Sequence, residues 1–248
     1  MWLHDPDFST FWHLLTRLGE AQILLPAGLL AALCLLRRPE GRPLVAWWLV
    51  LLGIATLLTT ASKVAFIGWG VGWPALNFTG ISGHAMFAAA VYPLLLGTLS
   101  SRAGPTGRRL AVVTGGLLAL LVGVSRIVIG AHSGSEVLAG LLVGGAASAA
   151  ALALIRLPRD LISPLIPAGV ALWLAVTPAH APPSQTHSMV TQLSLKLSGH
   201  AAPYTRADML REWQQRQSTP CEPADCESAT PRSTKTRAIS VGGVERPI

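Results

Sequence analysis

The sequence predicts an all-α fold: a polytopic membrane helix bundle of about six spans with an outward-facing, largely disordered C-terminal tail. Three observations predict it. Of the 248 residues, 51% are hydrophobic and only 12% are charged, against about 25% charge in an ordinary soluble domain. Apolar stretches recur at 20–36, 43–62, 84–100, 110–125, 137–155 and 161–177, separated by short polar loops. After Val176 the composition turns abruptly to Pro, Ser, Thr and charge. A soluble chain of this length buries a core without shedding its charge, so the deficit points to lipid as the main solvent.

The elements follow in order. Within residues 1–19, "DFSTFWHLLTRLGEA" carries Phe11, Leu14, Leu15 and Leu18 at helical spacing, the pattern of an amphipathic helix lying in the outer interface. Asp5, Asp7 and the missing basic n-region argue against a cleavable signal. Residues 20–177 hold the six spans. Several fall short of the roughly 20 residues that cross a bilayer comfortably; singly each reads as a buried soluble helix, but six in succession read as membrane. Pro26 interrupts the first span and Glu20 borders it, while Cys34 reads as a small hydrophobe. In "AGLLVGGAASAAALAL" Gly140 and Gly144 stand four apart, either a seam for close helix packing or glycines in a plain apolar helix. Residues 178–248 form the extracytoplasmic polar tail, expected to be of low order. Its "MVTQLSLKL" alternates like an isolated strand or an interfacial segment. Cys221 and Cys226 either close a small disulfide loop or stay free thiols.

A net charge of +7 raises nucleic acid as a partner. The basic residues instead cluster in short runs between apolar segments without interleaved aromatics, so no nucleic acid is expected and the partner is the bilayer. Arg37, Arg38 and Arg42, then Arg102, Arg108 and Arg109, then Arg156 and Arg159 alternate with loops that hold only Arg17, Lys63 and Arg126 near membrane ends. Positive loops stay in the cytoplasm. The chain is therefore expected in the inner (plasma) membrane, with its termini and the loops 63–83 and 126–136 outside. Nothing in the sequence specifies an oligomeric state.

Between Arg42 and Arg102 the one charged residue is Lys63; between Arg109 and Arg156 there are Arg126 and Glu136. His84 and His132 join them. Ionisable groups in spans cost about 2.5–3.5 kcal/mol on insertion scales and mark function, and these five gather at one expected depth. The chemistry is anionic. Lys63 and Arg126 supply cations, Arg126 with a planar fork suited to phosphate oxygens. Ser82 and Gly83 open the third span, where free backbone N–H groups face a bound anion. His132 and Glu136, four apart, share a helical face, so the carboxylate holds one imidazole nitrogen and leaves the other free. An acid-oriented histidine beside cations is the pattern of an activated nucleophile or base. A zinc site of two histidines and Glu136 is the weaker reading, because two cations beside a metal are hard to explain.

Ser125-Arg126, five residues, His132, three residues and an acid resemble the third motif of the type 2 phosphatidic acid phosphatases, a superfamily that includes the vanadium haloperoxidases. Ser82-Gly83-His84 resembles its second motif, and Lys63 begins the first. The resemblance spans about residues 60–140. It implies that His132 attacks phosphorus to form a phosphohistidine, Glu136 orients it and His84 protonates the leaving oxygen. It implies that Lys63, Arg126, Ser82 and the Gly83 amide bind the phosphate, with no metal or other cofactor. The implied substrate is a membrane lipid phosphate: phosphatidic acid, phosphatidylglycerophosphate, an isoprenoid diphosphate or a lipid A phosphate.

The chain departs from the family pattern in three places. Glu136 stands where an aspartate is usual, and Ile81 where a proline is usual. The Arg-Pro expected seven residues after Lys63 is Gly70-Val71. One charge-assisted hydrogen bond is worth about 1.5–3 kcal/mol, so either another group compensates or the substrate differs. Two alternatives follow: a catalytically weakened member of the fold that binds lipid headgroups, or an anionic-lipid transporter or flippase. Trp69 and Trp73 read as interface anchors. A second Ser-Gly-His, Ser198-Gly199-His200, reads as coincidence.

The topology is directly testable. A reporter active only outside the cytoplasm gives signal when fused after Pro183 and none when fused after Arg108; the reverse pattern inverts every loop.

Overall fold

A computed structural model describes residues 6–37, 39–100, 102–154, 165–180 and 185–218. Arg38, Arg156, Arg159, Cys221 and Cys226 lie outside the described residues. The helices, in chain order, are α1 (Pro6–Arg17), α2 (Ala21–Leu36), α3 (Arg42–Trp69), α4 (Gly83–Leu99), α5 (Pro105–Val128), α6 (Gly134–Leu154), α7 (Leu165–His180), α8 (Thr186–Ser198) and α9 (Arg206–Ser218). Among the described residues there is no strand, only an isolated bridge between Trp73 and Phe78.

Each of the six predicted apolar stretches is a helix, α2 to α7. By length and composition the segments Pro39–Trp69, Pro105–Val128 and Gly134–Ala153 are each sufficient to cross a membrane, and α1 and α2 together pass as a pair bent by 44°. The helices Gly83–Leu99 and Ile166–His180 are shorter. The protein is thus an all-α, multi-pass membrane protein.

Sequence dictates which helix sits centrally. α4 is apolar on every side, and Ala85, Met86, Ala88, Ala90, Val91, Tyr92, Leu94 and Leu95 are all buried. A helix with no polar face has to be enclosed, and α4 packs against α2, α3, α5 and α6. α3 instead shows Leu49, Val50, Ile54, Leu57 and Leu58 on its outer side, as a lipid-facing helix does. The Trp48 indole N–H donates to the Ala90 carbonyl (2.9 Å), and the Tyr92 hydroxyl to the Leu18 carbonyl (2.9 Å).

Gly140 and Gly144 do form a packing seam. A Cβ on Gly140 would lie 2.6 Å from the Ser82 carbonyl oxygen, and one on Gly144 would run into the Met86 carbonyl. With no hydrophobic effect between helices in lipid, such backbone proximity is what holds α6 to α4.

α1 packs against α5 and α7, with Phe11 and Leu14 exposed, Thr16 buried and Leu18, just beyond its end, packed on the core. The tail is more ordered than its composition suggests, because α8 and α9 occupy 186–198 and 206–218. "MVTQLSLKL" is helical rather than a strand. Its inward residues Val190, Thr191, Ser194, Leu195 and Ser198 fall at helical spacing, and α8 packs on α3. The alternation was a by-product of serines and leucines on one helix.

The chain divides into two units, residues 1–210 and 211–248. In the second, the described residues complete α9 and carry an exposed Arg216–Glu212 pair at 3.5 Å.

Gly144→Ala should destabilise the bundle by about 1–3 kcal/mol through overpacking. Gly145→Ala, where a Cβ meets nothing within 4 Å, should be neutral or stabilising by up to about 1 kcal/mol. Unfolding in detergent compares the two; equal effects would refute the seam.

Candidate active site

The bundle brings to one end the last turns of α3 and α5, the loop 70–82 with the first turn of α4, and the turn 129–133 with the first turn of α6. They border a cavity of about 880 Å³ whose wall includes Lys63, Gly83, His84, Arg126 and His132. Ser82 and Glu136, both fully buried, stand behind that wall. Five of the seven predicted site residues therefore face the cavity and two support it.

Glu136 organises the arrangement. Its Oε2 accepts from His132 Nδ1 at 2.7 Å and from the Ser133 amide at 3.1 Å. Its Oε1 accepts from the Thr79 amide at 2.7 Å and the Thr79 hydroxyl at 2.5 Å. Its main-chain carbonyl accepts from the Ser82 amide at 3.1 Å, tying the start of α4 to the start of α6. A carboxylate can only accept, so Nδ1 of His132 carries the proton and Nε2 is the nitrogen left for the cavity.

His132 lies in the turn between α5 and α6. Burial pushes its imidazole below the usual histidine range; the hydrogen bond to Glu136 opposes this, while Lys63 and Arg126 add to the depression. The ring is thus a neutral base with one free lone pair at neutral pH.

The cations sit on other walls. A Cβ on Gly83 would lie 3.9 Å from Lys63 Nζ, so the ammonium stands over the start of α4. There the first-turn N–H groups have no helical partner. Gly80 has φ +141 and lies against the Lys63 backbone and side chain, so it both needs glycine's conformational freedom and leaves no room for a side chain. Arg126 Nη1 donates to Thr16 Oγ1 of α1 at 3.0 Å. Arg126 Nε and Ser82 Oγ are buried with no protein partner, which leaves donor capacity in the site.

Sequence reasoning missed Thr79, Thr16 and Arg206. Arg206 Nη2 donates to both Glu136 oxygens at 2.8 Å, and its side chain reaches the cavity wall together with Thr186, His187 and Tyr204. Thr79 lies three residues before Ser82, but nothing in a lone threonine marks it. The polar tail holds several arginines, and only the fold selects one. The second Ser-Gly-His ends α8; His200 Nδ1 donates to the Gly68 carbonyl at 2.8 Å and does not line the cavity. Trp69 and Trp73 are exposed and also off the cavity. Among the described residues no group of three His, Cys, Asp or Glu could hold a metal ion.

Fold and site define a multi-pass helical membrane protein with a cationic, histidine-bearing cavity at one end. The chain belongs to the PAP2 superfamily, whose profile matches residues 62–159 and so contains all seven predicted site residues. It is similar to an uncharacterized 22.5 kDa protein in the cps region of Klebsiella pneumoniae, 39% identical over 206 residues covering 81% of this chain and 98% of that one. A solved structure, the first transmembrane PAP2 type phosphatidylglycerolphosphate phosphatase from Bacillus subtilis, aligns at a TM-score of 0.48 with 22% identity, covering 61% of this chain and 78% of that one.

In protein with labelled histidine, His132 should be neutral and Nδ1-protonated at pH 7, titrating below the ordinary value of about 6.5. Glu136→Gln should push the transition lower still, because the opposing carboxylate is gone. A transition above 6.5, or one that rises in Glu136→Gln, would overturn this electrostatic account.

Proposed function

We propose that the protein is an integral membrane phosphatase that hydrolyses a lipid phosphate or diphosphate on the extracytoplasmic side through a phosphohistidine. One observation carries the reading: His132 is held through Nδ1 by a buried carboxylate while its ring borders a cavity shared with Lys63, Arg126 and His84. Family membership supports the same chemistry.

In this mechanism the phosphoryl group binds against Lys63, Arg126 and the first-turn amides of α4 around Gly83, with Ser82 behind them. His132 Nε2 attacks phosphorus, forming an N–P bond as the P–O bond to the lipid breaks. His84 gives its proton to the departing oxygen. Glu136 accepts from Nδ1 throughout and stabilises the positive charge that develops on the ring. A water molecule then attacks phosphorus, passing a proton to His84 as the N–P bond breaks, and inorganic phosphate leaves. The lipid tail stays in the bilayer beside the exposed apolar flanks of the spans. The cavity exceeds a bare phosphate and has room for a headgroup.

Purified protein should release phosphate from at least one member of a panel of lipid phosphates and diphosphates. His132→Ala should lower that release by several orders of magnitude. Rapid quenching with phosphorus-labelled substrate should trap label on His84→Ala and none on His132→Ala. No release from any substrate by wild type would reject the reading, and label retained on His132→Ala would reject the assignment of the nucleophile.

A further inference from the structure

The family's first motif has no arginine here, and Gly70 stands in its place. The structure shows what occupies that space. Gly70 ends α3 with φ +70, and a Cβ on it would lie 3.2 Å from the Tyr204 ring. An arginine at position 70 is therefore replaced in space by a segment from beyond α8, and two residues after Tyr204 that segment delivers Arg206.

This segment is fastened to the C-terminal end of α3. The Tyr204 amide donates to the Ile67 carbonyl at 2.9 Å, and His200 Nδ1 to the Gly68 carbonyl at 2.8 Å. The Tyr204 and Phe66 rings meet edge to face at 5.5 Å. Met209 is buried with Phe66 and Ile67. These anchors aim Arg206 inward. Its Nη1 donates to the carbonyl and side-chain oxygens of Asn77 at 3.2 and 2.9 Å. Its Nη2 donates to both Glu136 oxygens and, at 3.3 Å, to Thr79 Oγ1.

Each Nη has two protons, and these contacts engage them all. Arg206 consequently does not offer those groups to a phosphate, as the missing arginine would. It acts on Glu136. We infer that Arg206 is a positioning residue for the phosphatase reaction proposed above, fixing the Glu136 carboxylate in the geometry that orients His132 and supplying the site with the cation that position 70 lacks. Arg206 lies outside residues 62–159, the part matched by the family profile.

The charge has a definite sign of effect on His132. Around the cavity stand Lys63 from α3, His84 from α4, Arg126 from α5, His187 from α8 and Arg206 from α9, with His13, Arg17 and Glu20 from the α1–α2 region, and Glu136 from α6 stands behind its wall against His132. Removing the Arg206 cation leaves the Glu136 carboxylate less neutralised, so His132 should hold its proton to higher pH. A charge within about 4–6 Å moves a titration by about 1–3 units, and the effect here passes through Glu136, so the shift expected is about one unit.

The test uses full-length protein in detergent or vesicles and compares wild type, Arg206→Gln and Arg206→Lys. Gln retains a donor without the charge; Lys retains the charge. By histidine NMR, Arg206→Gln should raise the His132 transition by about one unit while Arg206→Lys leaves it near wild type. In turnover of whichever lipid phosphate wild type hydrolyses, Arg206→Gln should lower kcat at least about tenfold with KM nearly unchanged. The acid limb of its pH profile should shift upward with the NMR transition, and Arg206→Lys should recover part of the loss. Asn77→Gly, which removes the side-chain acceptor of Nη1 but keeps the main-chain carbonyl and the left-handed backbone at position 77 (φ 51), should lower kcat less and serves if Arg206→Gln does not fold. An unmoved His132 transition in a folded Arg206→Gln would overturn the inference, and so would a raised KM with unchanged kcat. Wild type without phosphatase activity would instead reject the proposed function, and the NMR titration would still decide the role of Arg206.

Discussion

A single buried carboxylate ties the cavity end of this protein together. Glu136 has no solvent exposure, and an unpaired charge in that position would cost several kcal/mol. It is sustained by donors from separate stretches of chain: Thr79 from the loop before α4, His132 and Ser133 from the turn before α6, and Arg206 from the start of α9. Its own backbone carbonyl receives the Ser82 amide. Burying Glu136 therefore requires all of these segments to be in place together, and their joint position defines the cavity wall. The glutamate, one methylene longer than the aspartate usual in the family, spans from the first turn of α6 to all of these donors.

The bundle beneath supplies the rigidity that such a network needs. α4 is enclosed by α2, α3, α5 and α6 because it has no polar side to give to solvent. Glycines at 140 and 144 let α6 approach the α4 backbone. In lipid this close contact replaces the hydrophobic drive that would hold two helices together in water. The polar groups then sit where helices end, since free N–H groups and unspent side-chain donors are tolerated there. Arg126 Nε and Ser82 Oγ, buried without protein partners, are the counterpart of Glu136: the carboxylate is saturated, whereas the cationic side of the site retains capacity for an anion.

The C-terminal segment changes how the site is composed. Tyr204 covers Gly70 and Arg206 reaches Glu136, so a region of tail composition forms part of the inner architecture. α1 contributes from the other side, with Thr16 holding Arg126. The cavity is thereby lined by both ends of the described chain as well as by the central helices.

What the sequence by itself determined is the helical membrane class, the six apolar helices and the core of the site. Apolar runs, sparse charge and the placement of Lys63, Ser82-Gly83-His84 and Ser125 to Glu136 are local patterns, and local patterns survive in one dimension. His132 and Glu136 were legible as a pair because four residues make one helical turn. Tertiary structure alone decided which partners Glu136 has, that Ser82 and Glu136 stand behind the cavity wall, and that α1 and α8 enclose it. Arg206 follows Lys63 by more than a hundred residues and sits in a polar stretch whose composition predicts little order. No periodicity links two such positions: a weakly apolar helix such as α8 is set by the surface it packs on, and that surface exists only once α3 and its neighbours have assembled.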